Sequence, residues 1–281
     1  MMGFRSNTAG RALTRRVAAL PLLLAGLLPG CTSAPSTAVD PVPSRSSVMA
    51  PVEPLPAVQA PAPAPAPTLA ERLALAAPDA DPQVLALAVQ AQRCAVGSGA
   101  VDPVERLAVI DYSRPSTEPR LWVFALADAR LLYVEHVAHG KGSGADMATE
   151  FSNVEGSLQS SLGLFSTAET YVGGNGYSLR MDGLEPGVND RARERLVVMH
   201  GADYVNPKQA LRQGRLGRSF GCPAVRSGIA REMIDTLKGG QLLFAYYPDT
   251  QWLQASRFLE CGQPDRIASA AGQTRAQASR P

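Results

Sequence analysis

Three histidines in 281 residues leave little from which to build a metal centre. Two of them, His136 and His139, stand three positions apart, and on a strand that spacing turns the side chains to opposite faces. No second pair of ligands with zinc spacing accompanies them, so no metal is expected. Phosphate chemistry is short of its pattern too. Lys141 lies among Gly140, Gly142 and Gly144, but the full Gly-x-x-x-x-Gly-Lys-Ser/Thr run is missing, which argues against a nucleotide site and a nucleotide cofactor. The apolar run Val17 to Pro29 is too short to anchor the chain stably across a bilayer. Excess positive charge is also lacking. The formal net charge is +2, from 27 basic and 25 acidic residues. Four of the basic residues fall in the first 30 positions, and losing that segment leaves 23 against 25, a net of −2. No basic patch calls for nucleic acid as a partner.

The beginning of the chain has a composition of its own. Arg5, Arg11, Arg15 and Arg16 precede the apolar run without one acidic residue among them, which reads as an export signal over residues 1–30. Leu27-Leu28-Pro29-Gly30-Cys31 follows. A small residue just before a cysteine that closes the apolar run is similar to a lipoprotein processing site, and makes Cys31 a candidate for lipidation. The alternative is ordinary cleavage nearby, with Cys31 discarded or left free. Residues 31–67 read as a linker: ten prolines fall between Pro35 and Pro67, a composition that favours extended polyproline II and builds no core. At ~3.1 Å per residue it would reach on the order of 100 Å. At the other end, residues 263–281 are rich in Ala, Gln, Ser and Arg and read as a frayed tail.

Between those ends lies the globular part. A helical lead-in over 68–99 starts at Thr68, with Glu71 three residues on as a capping box, and resumes at Pro82 with proline in a first turn. Residues 100–262 then carry short β-rich runs, Leu107–Tyr112, Arg120–Leu126 and Leu131–Val137, separated by turn chemistry that suits an antiparallel sheet. The stretch from 156 to 177 is turn-rich. Arg191, Arg193 and Arg195 lead into a strand and read as a solvated face. Ser227 is expected to cap a helix whose Ile229, Met233 and Leu237 share one face. Gln241–Tyr247 reads as a buried closing strand. His136 is expected to be a satisfied strand residue.

The chemistry concentrates between His200 and Cys222. The apolar run Leu196–Met199 stops at His200-Gly201, as a strand does when it delivers its last side chain to a rim. Some twenty residues on, a glycine-rich basic loop ends in Gly217-Arg218-Ser219-Phe220-Gly221-Cys222-Pro223. A nucleophilic thiol needs a base within reach, a sharp turn, and amides free to meet an oxyanion. Gly221 can take positive φ without steric cost, and Pro223 fixes the chain just past the sulfur. The bland alternative is an inert cysteine beside a structural histidine.

The pattern His-Gly, a loop, then Ser-x-Gly-Cys resembles the L,D-transpeptidases, and most closely the murein branch whose motif reads Gly-Arg-Ser-(Trp/Phe)-Gly-Cys-Pro-Ala. The likeness runs from Leu107 to Tyr247 and takes in His139–Gly144, Phe151-Ser152-Asn153 and Ser161–Phe165. It implies a mainly β fold with flanking helices, a β-sandwich or barrel catalytic domain preceded by a short helical segment. It implies an enzyme acting on peptidoglycan stem peptides, with Cys222 as nucleophile, His200 as base, and the carbonyl of Gly201 orienting the imidazole. The amides around Phe220, Gly221 and Cys222 would hold the oxyanion. Ser219, Arg218, Tyr204 and His139 are candidates for contacts with substrate. Two positions depart from the common family motif, which has His where Phe220 stands and Arg where Ala224 stands. Arg218 or Arg226 is expected to supply the missing cation for a substrate carboxylate.

The cysteines fit an exported chain. With Cys31 and Cys222 assigned, Cys94 and Cys261 remain; they flank the domain, and an oxidising periplasm permits them to pair. Membrane contact is expected only through a lipid on Cys31. A hydrolase using the same Cys222 and His200 with water as acceptor, and a wall-binding module with an idle thiol, remain as alternatives.

Overall fold

The computed structural model describes residues 65–261. The expected export signal, Cys31, the linker up to residue 64 and the tail 263–281 lie outside the described residues. Helix α1 (Leu69–Ala76) starts at Thr68, whose hydroxyl accepts from the Glu71 amide while the Glu71 carboxylate accepts from the Thr68 amide at 2.7 Å. In α2 (Pro82–Gly97), Asp81 caps the Gln83 amide and Pro82 fills the first turn. Its buried stripe of Val84, Leu85, Ala88, Ala91 and Ala95 packs against the sheet.

Eight strands follow: β1 (Arg106–Asp111), β2 (Leu121–Ala125), β3 (Arg130–Glu135), β4 (Gly163–Gly173), β5 (Gly176–Gly183), β6 (Val198–Ala202), β7 (Ala224–Arg226) and β8 (Leu242–Tyr246). They form one sheet in the order β3-β2-β1-β8-β4-β5-β6-β7. The sheet is mixed rather than antiparallel as expected, because β8 enters beside β1 in the same direction and β7 lies parallel to β6. Just past β3, the Ala138 amide donates to the Ala224 carbonyl of β7 at 2.8 Å. That bridge brings the two outer strands together, so the sheet is nearly closed and barrel-like. β1 and β2 are buried almost throughout, as their unbroken apolar runs require of strands covered on both faces. The fold is mainly β with flanking helices and a helical segment in front.

The turn-rich stretch, which the family resemblance expects to carry strands, forms an eleven-residue strand from Gly163, β4, because pairing with β5 and β8 supplies what its glycines and threonines lack locally. One local expectation changes. Ser227 does not cap α4 (Ser227–Leu237); it is the first helical residue, since the chain runs from β7 into the helix without a break. Its hydroxyl donates instead to Asp203 at 2.6 Å, tying α4 to the end of β6. Two further short helices complete the fold, α3 (Pro207–Gln213) and α5 (Thr250–Ala255). Among the described residues no helix is long and apolar enough to cross a membrane.

Candidate active site

β6 carries His200 into a nearly buried position, 4% exposed. Its Nδ1 lies 3.0 Å from the carbonyl of Gly201. A carbonyl can only accept, so Nδ1 bears the proton and the neutral ring keeps a lone pair on Nε2. Burial holds the imidazole below its ordinary value of 6.5, opposed by that bond to Gly201. The ring is therefore neutral at pH 7 and able to take a proton. Gly201 has to be glycine, because a Cβ there would stand 2.8 Å from the Ala230 methyl of α4.

The loop that ends in Cys222 is held at every step. Gly214 closes α3 at φ 74°, the left-handed conformation glycine adopts freely. Gly217 packs on Tyr204 so closely that a Cβ would reach 2.4 Å from that ring's own Cβ. Arg218 spends its guanidinium on the carbonyls of Gly144 at 2.6 Å and Lys141 at 3.3 Å. Ser219 donates through Oγ to the Cys222 carbonyl at 2.7 Å and accepts from the Gly221 amide at 3.1 Å. Gly221 takes φ 132°, with the Gln159 carbonyl 2.9 Å from where a Cβ would stand. Ser160 donates to the Gly221 carbonyl at 3.0 Å.

The thiol of Cys222 is buried. The Val198 amide donates to Sγ at 3.5 Å, and the thiol in turn points at the Leu196 carbonyl, 3.6 Å away. Leu196 itself sits at φ 53°, a strained conformation for a leucine, and its side chain is exposed. Cys222 and His200 are not hydrogen-bonded to each other. Strand register relates them: His200 pairs with Ala224, and Cys222 stands two residues before Ala224. Burial pushes the thiol up from its ordinary value, opposed by the Val198 amide and by the positive charge of Arg195. The resting pair is thus neutral thiol and neutral imidazole, not thiolate and imidazolium.

The remaining expected residues are brought near the sulfur unequally. The Gly221 amide is committed to Ser219, and the Cys222 amide lies against its own sulfur, where it favours the anion. Tyr204 is half-buried, its hydroxyl pushed up to about 12 by burial and by the charge Cys222 would carry. His139 does not line the cleft. It is fully buried, with Arg120 donating to its Nδ1 at 2.7 Å, and burial together with the Arg120 charge brings it down to about 4. Arg226 is paired with Glu135, and His136 is satisfied by the Thr117 carbonyl at 3.1 Å. Cys94 and Cys261 are bonded to each other as a disulfide.

One residue at the site escapes the sequence reading. Arg195, expected on a solvated face, turns inward into the loop 152–161. Its Nη1 donates to the Ser152 carbonyl at 2.5 Å and Ser161 Oγ at 2.6 Å, its Nη2 to the Gln159 carbonyl at 2.7 Å and Ser157 Oγ at 3.2 Å. That same Nη2 lies 3.8 Å from the Cβ position of Gly221. Alternation with Arg191 and Arg193 concealed it, for those two pair on the surface with Glu194 and Glu169.

A family model described as L,D-transpeptidase catalytic domain matches residues 76–246. Among solved structures, the LD transpeptidase LdtMt1 in complex with imipenem is 14% identical over 50% of this chain and 59% of its own, with a TM-score of 0.32. An L,D-transpeptidase from Mycobacterium smegmatis is 15% identical over 51% of this chain and 59% of its own, with a TM-score of 0.32. One from Xylanimonas cellulosilytica is 16% identical over 56% and 78%, with a TM-score of 0.29. The chain thus spans less than two thirds of the first two structures. No curated protein matches it.

Proposed function

The chain belongs to the L,D-transpeptidase catalytic-domain family, whose model covers more than half of it, and on that premise we propose that it is a peptidoglycan-modifying cysteine acyltransferase. The observation that supports the proposal is the His200–Gly201 bond, which puts the proton of a neutral imidazole on Nδ1 and leaves Nε2 to accept one, with Cys222 two residues before the register partner of His200. His200 Nε2 takes the thiol proton as Sγ attacks the carbonyl between the L-centre and the D-centre of a stem tetrapeptide. The oxyanion meets the Cys222 amide, a donor of a kind whose loss costs roughly 3 kcal/mol. The terminal D-residue leaves as an amine, protonated from His200, and Cys222 remains as a thioester. The side-chain amine of a neighbouring stem then attacks, giving up its proton to His200. An amide cross-link forms and the thiol is restored.

Export through residues 1–30 and lipid attachment at Cys31 belong to the same proposal, since the substrate lies outside the cytoplasm. Incorporation of labelled fatty acid that survives in Cys31→Ser would refute the attachment. The reaction itself is tested on purified tetrapeptide muropeptides. Cross-linked dimers and free D-amino acid are expected, and both vanish in Cys222→Ala. Tripeptide and D-amino acid without dimers would mark a hydrolase on the same scaffold. Intact-mass measurement with imipenem, the drug bound in one of the solved relatives, is expected to show one adduct, located at Cys222. A chain that forms none and releases no product would be a wall-binding module instead.

A further inference from the structure

The loop from His139 to Gly144 is wedged between two strips of backbone. On one side the Lys141 amide donates to the Ser219 carbonyl at 2.8 Å, and on the other the Gly142 amide donates to the Leu158 carbonyl at 2.9 Å. There is no room in the wedge for side chains. A Cβ on Gly140 would stand 2.3 Å from the Leu158 carbonyl oxygen and 2.9 Å from Gly221 Cα, and one on Gly142 would stand 2.4 Å from the Ser157 oxygen. His139 and Ser143 are themselves fully buried. Lys141 alone in this stretch sends its side chain out, and it goes to the ring of Phe220. Its Nζ lies 4.4 Å above the ring of Phe220, two residues before Cys222. Phe220 is 71% exposed.

The other cations around the sulfur are occupied. Arg218 is bound to two carbonyls, Arg226 to Glu135, and Arg195 to the 152–161 loop. Arg120 is buried and bonded to the carbonyls of Val137 and Arg114. The Lys141 ammonium has no hydrogen bond or ion pair among the described residues, only the aromatic face. An ammonium held over a ring is partly desolvated and kept in place, and its outer protons stay free for a charged acceptor.

We infer that Lys141 and Phe220 form a carboxylate-reading subsite beside the nucleophile. The ammonium meets a free carboxylate on the substrate peptide next to the scissile bond, and the ring provides an apolar shelf beneath it. The ligand class is a peptide ending in a free α-carboxylate. The assignment rests on the reading of Cys222 as the nucleophile, and it replaces Arg218 and Arg226 as the source of the cation.

Binding separates this subsite from the chemistry. In the unreactive Cys222→Ala chain, calorimetry is run with a stem tetrapeptide and with its C-terminal carboxamide. The acid form is expected to bind more tightly than the amide. Lys141→Met should weaken the acid form about tenfold and leave the amide unchanged, while Lys141→Arg keeps the preference. Phe220→Ala should weaken both forms. Equal binding of acid and amide, or a Lys141→Met effect that falls on both alike, overturns the subsite. Turnover of the same peptides by the unaltered protein is scored apart. A chain that binds the acid through Lys141 yet releases no product would sink the proposed reaction and leave the subsite standing.

Discussion

Arg195 and Cys222 are joined by charge and not by a hydrogen bond. The guanidinium, fixed by four donors' worth of contacts to the 152–161 loop, sits against the Gly221 turn, and its field opposes the burial that raises the thiol. Losing the charge leaves the sulfur buried with the Val198 amide and its own amide to favour its anion. Arg195→Met is expected to move the pH midpoint of Cys222 alkylation by iodoacetamide upward and to slow acylation about tenfold, the equivalent of ~1.4 kcal/mol. Arg195→Lys, which keeps the charge but not the fork of contacts, should recover part of the midpoint shift. A midpoint unmoved in both variants would show that Arg195 only braces the loop.

The neutral resting pair sets the direction of the pH profile. Protonated His200 cannot take the thiol proton, so activity is lost as pH falls through the imidazole value, which burial holds below 6.5. The acid limb of kcat/KM for acylation should therefore lie below 6.5, with no decline on the alkaline side near neutrality, because the thiol ionises above its ordinary value. His200→Ala should lower acylation by roughly 10²–10⁴-fold and remove the acid limb. A limb centred above 6.5 would mean that burial does not lower the imidazole, and a decline above neutrality, as an imidazolium loses its proton, would mark an ion pair instead.

What the sequence could show depended on how local each interaction is. His200 at a strand end was readable from the apolar run that stops there, whereas the bond to the Gly201 carbonyl was expected only from the family resemblance. The commitment of the Gly221 amide was readable in principle, since a serine two residues earlier is a standard local competitor for that donor, yet the motif drew attention to the sulfur instead. Arg195 was hidden for a different reason. Its position alternates with Arg191 and Arg193, and only the return of residues 152–161 decides that it turns inward. The parallel placement of β8 beside β1 is likewise set by partners 135 residues apart in the register Leu107 to Leu242. His139 shared its glycine-rich surroundings with a cleft loop, and what buries it is Arg120 on the far side of a hairpin.

The Cys94–Cys261 disulfide closes most of the domain into one loop, its ends separated by 167 positions in the sequence. Loop-closure entropy for that length corresponds to about 5 kcal/mol, with typical measured values of 2–4. The bond ties α2 to the segment after α5, both distant from the nucleophile. Cys94→Ala with Cys261→Ala should lower the melting temperature markedly while leaving imipenem acylation at Cys222 unchanged at temperatures where the chain is folded. Thermal melts with and without reductant should give the same difference in the parent chain. Equal melts would show that the bond adds nothing to stability.

Burial of His139 makes stability depend on pH in a window separate from the chemistry. Its value is brought down to about 4 in the folded chain by burial and by Arg120, against an ordinary 6.5 once unfolded. Between those values the unfolded chain binds a proton that the folded one refuses, so stability falls as pH drops from 6.5 to 4 and is fully present above 6.5. At 1.36 kcal/mol per unit the loss amounts to about 3 kcal/mol. His139→Gln, whose side-chain oxygen can still accept from Arg120, removes the titration. Urea unfolding across pH 4 to 7.5 should then give a flatter profile for the variant than for the parent, with the two curves closest at the acid end if the variant is the less stable at neutral pH. Parallel curves would mean that the folded chain takes up the proton on His139 as readily as the unfolded one, which would end the argument that burial and Arg120 hold His139 neutral.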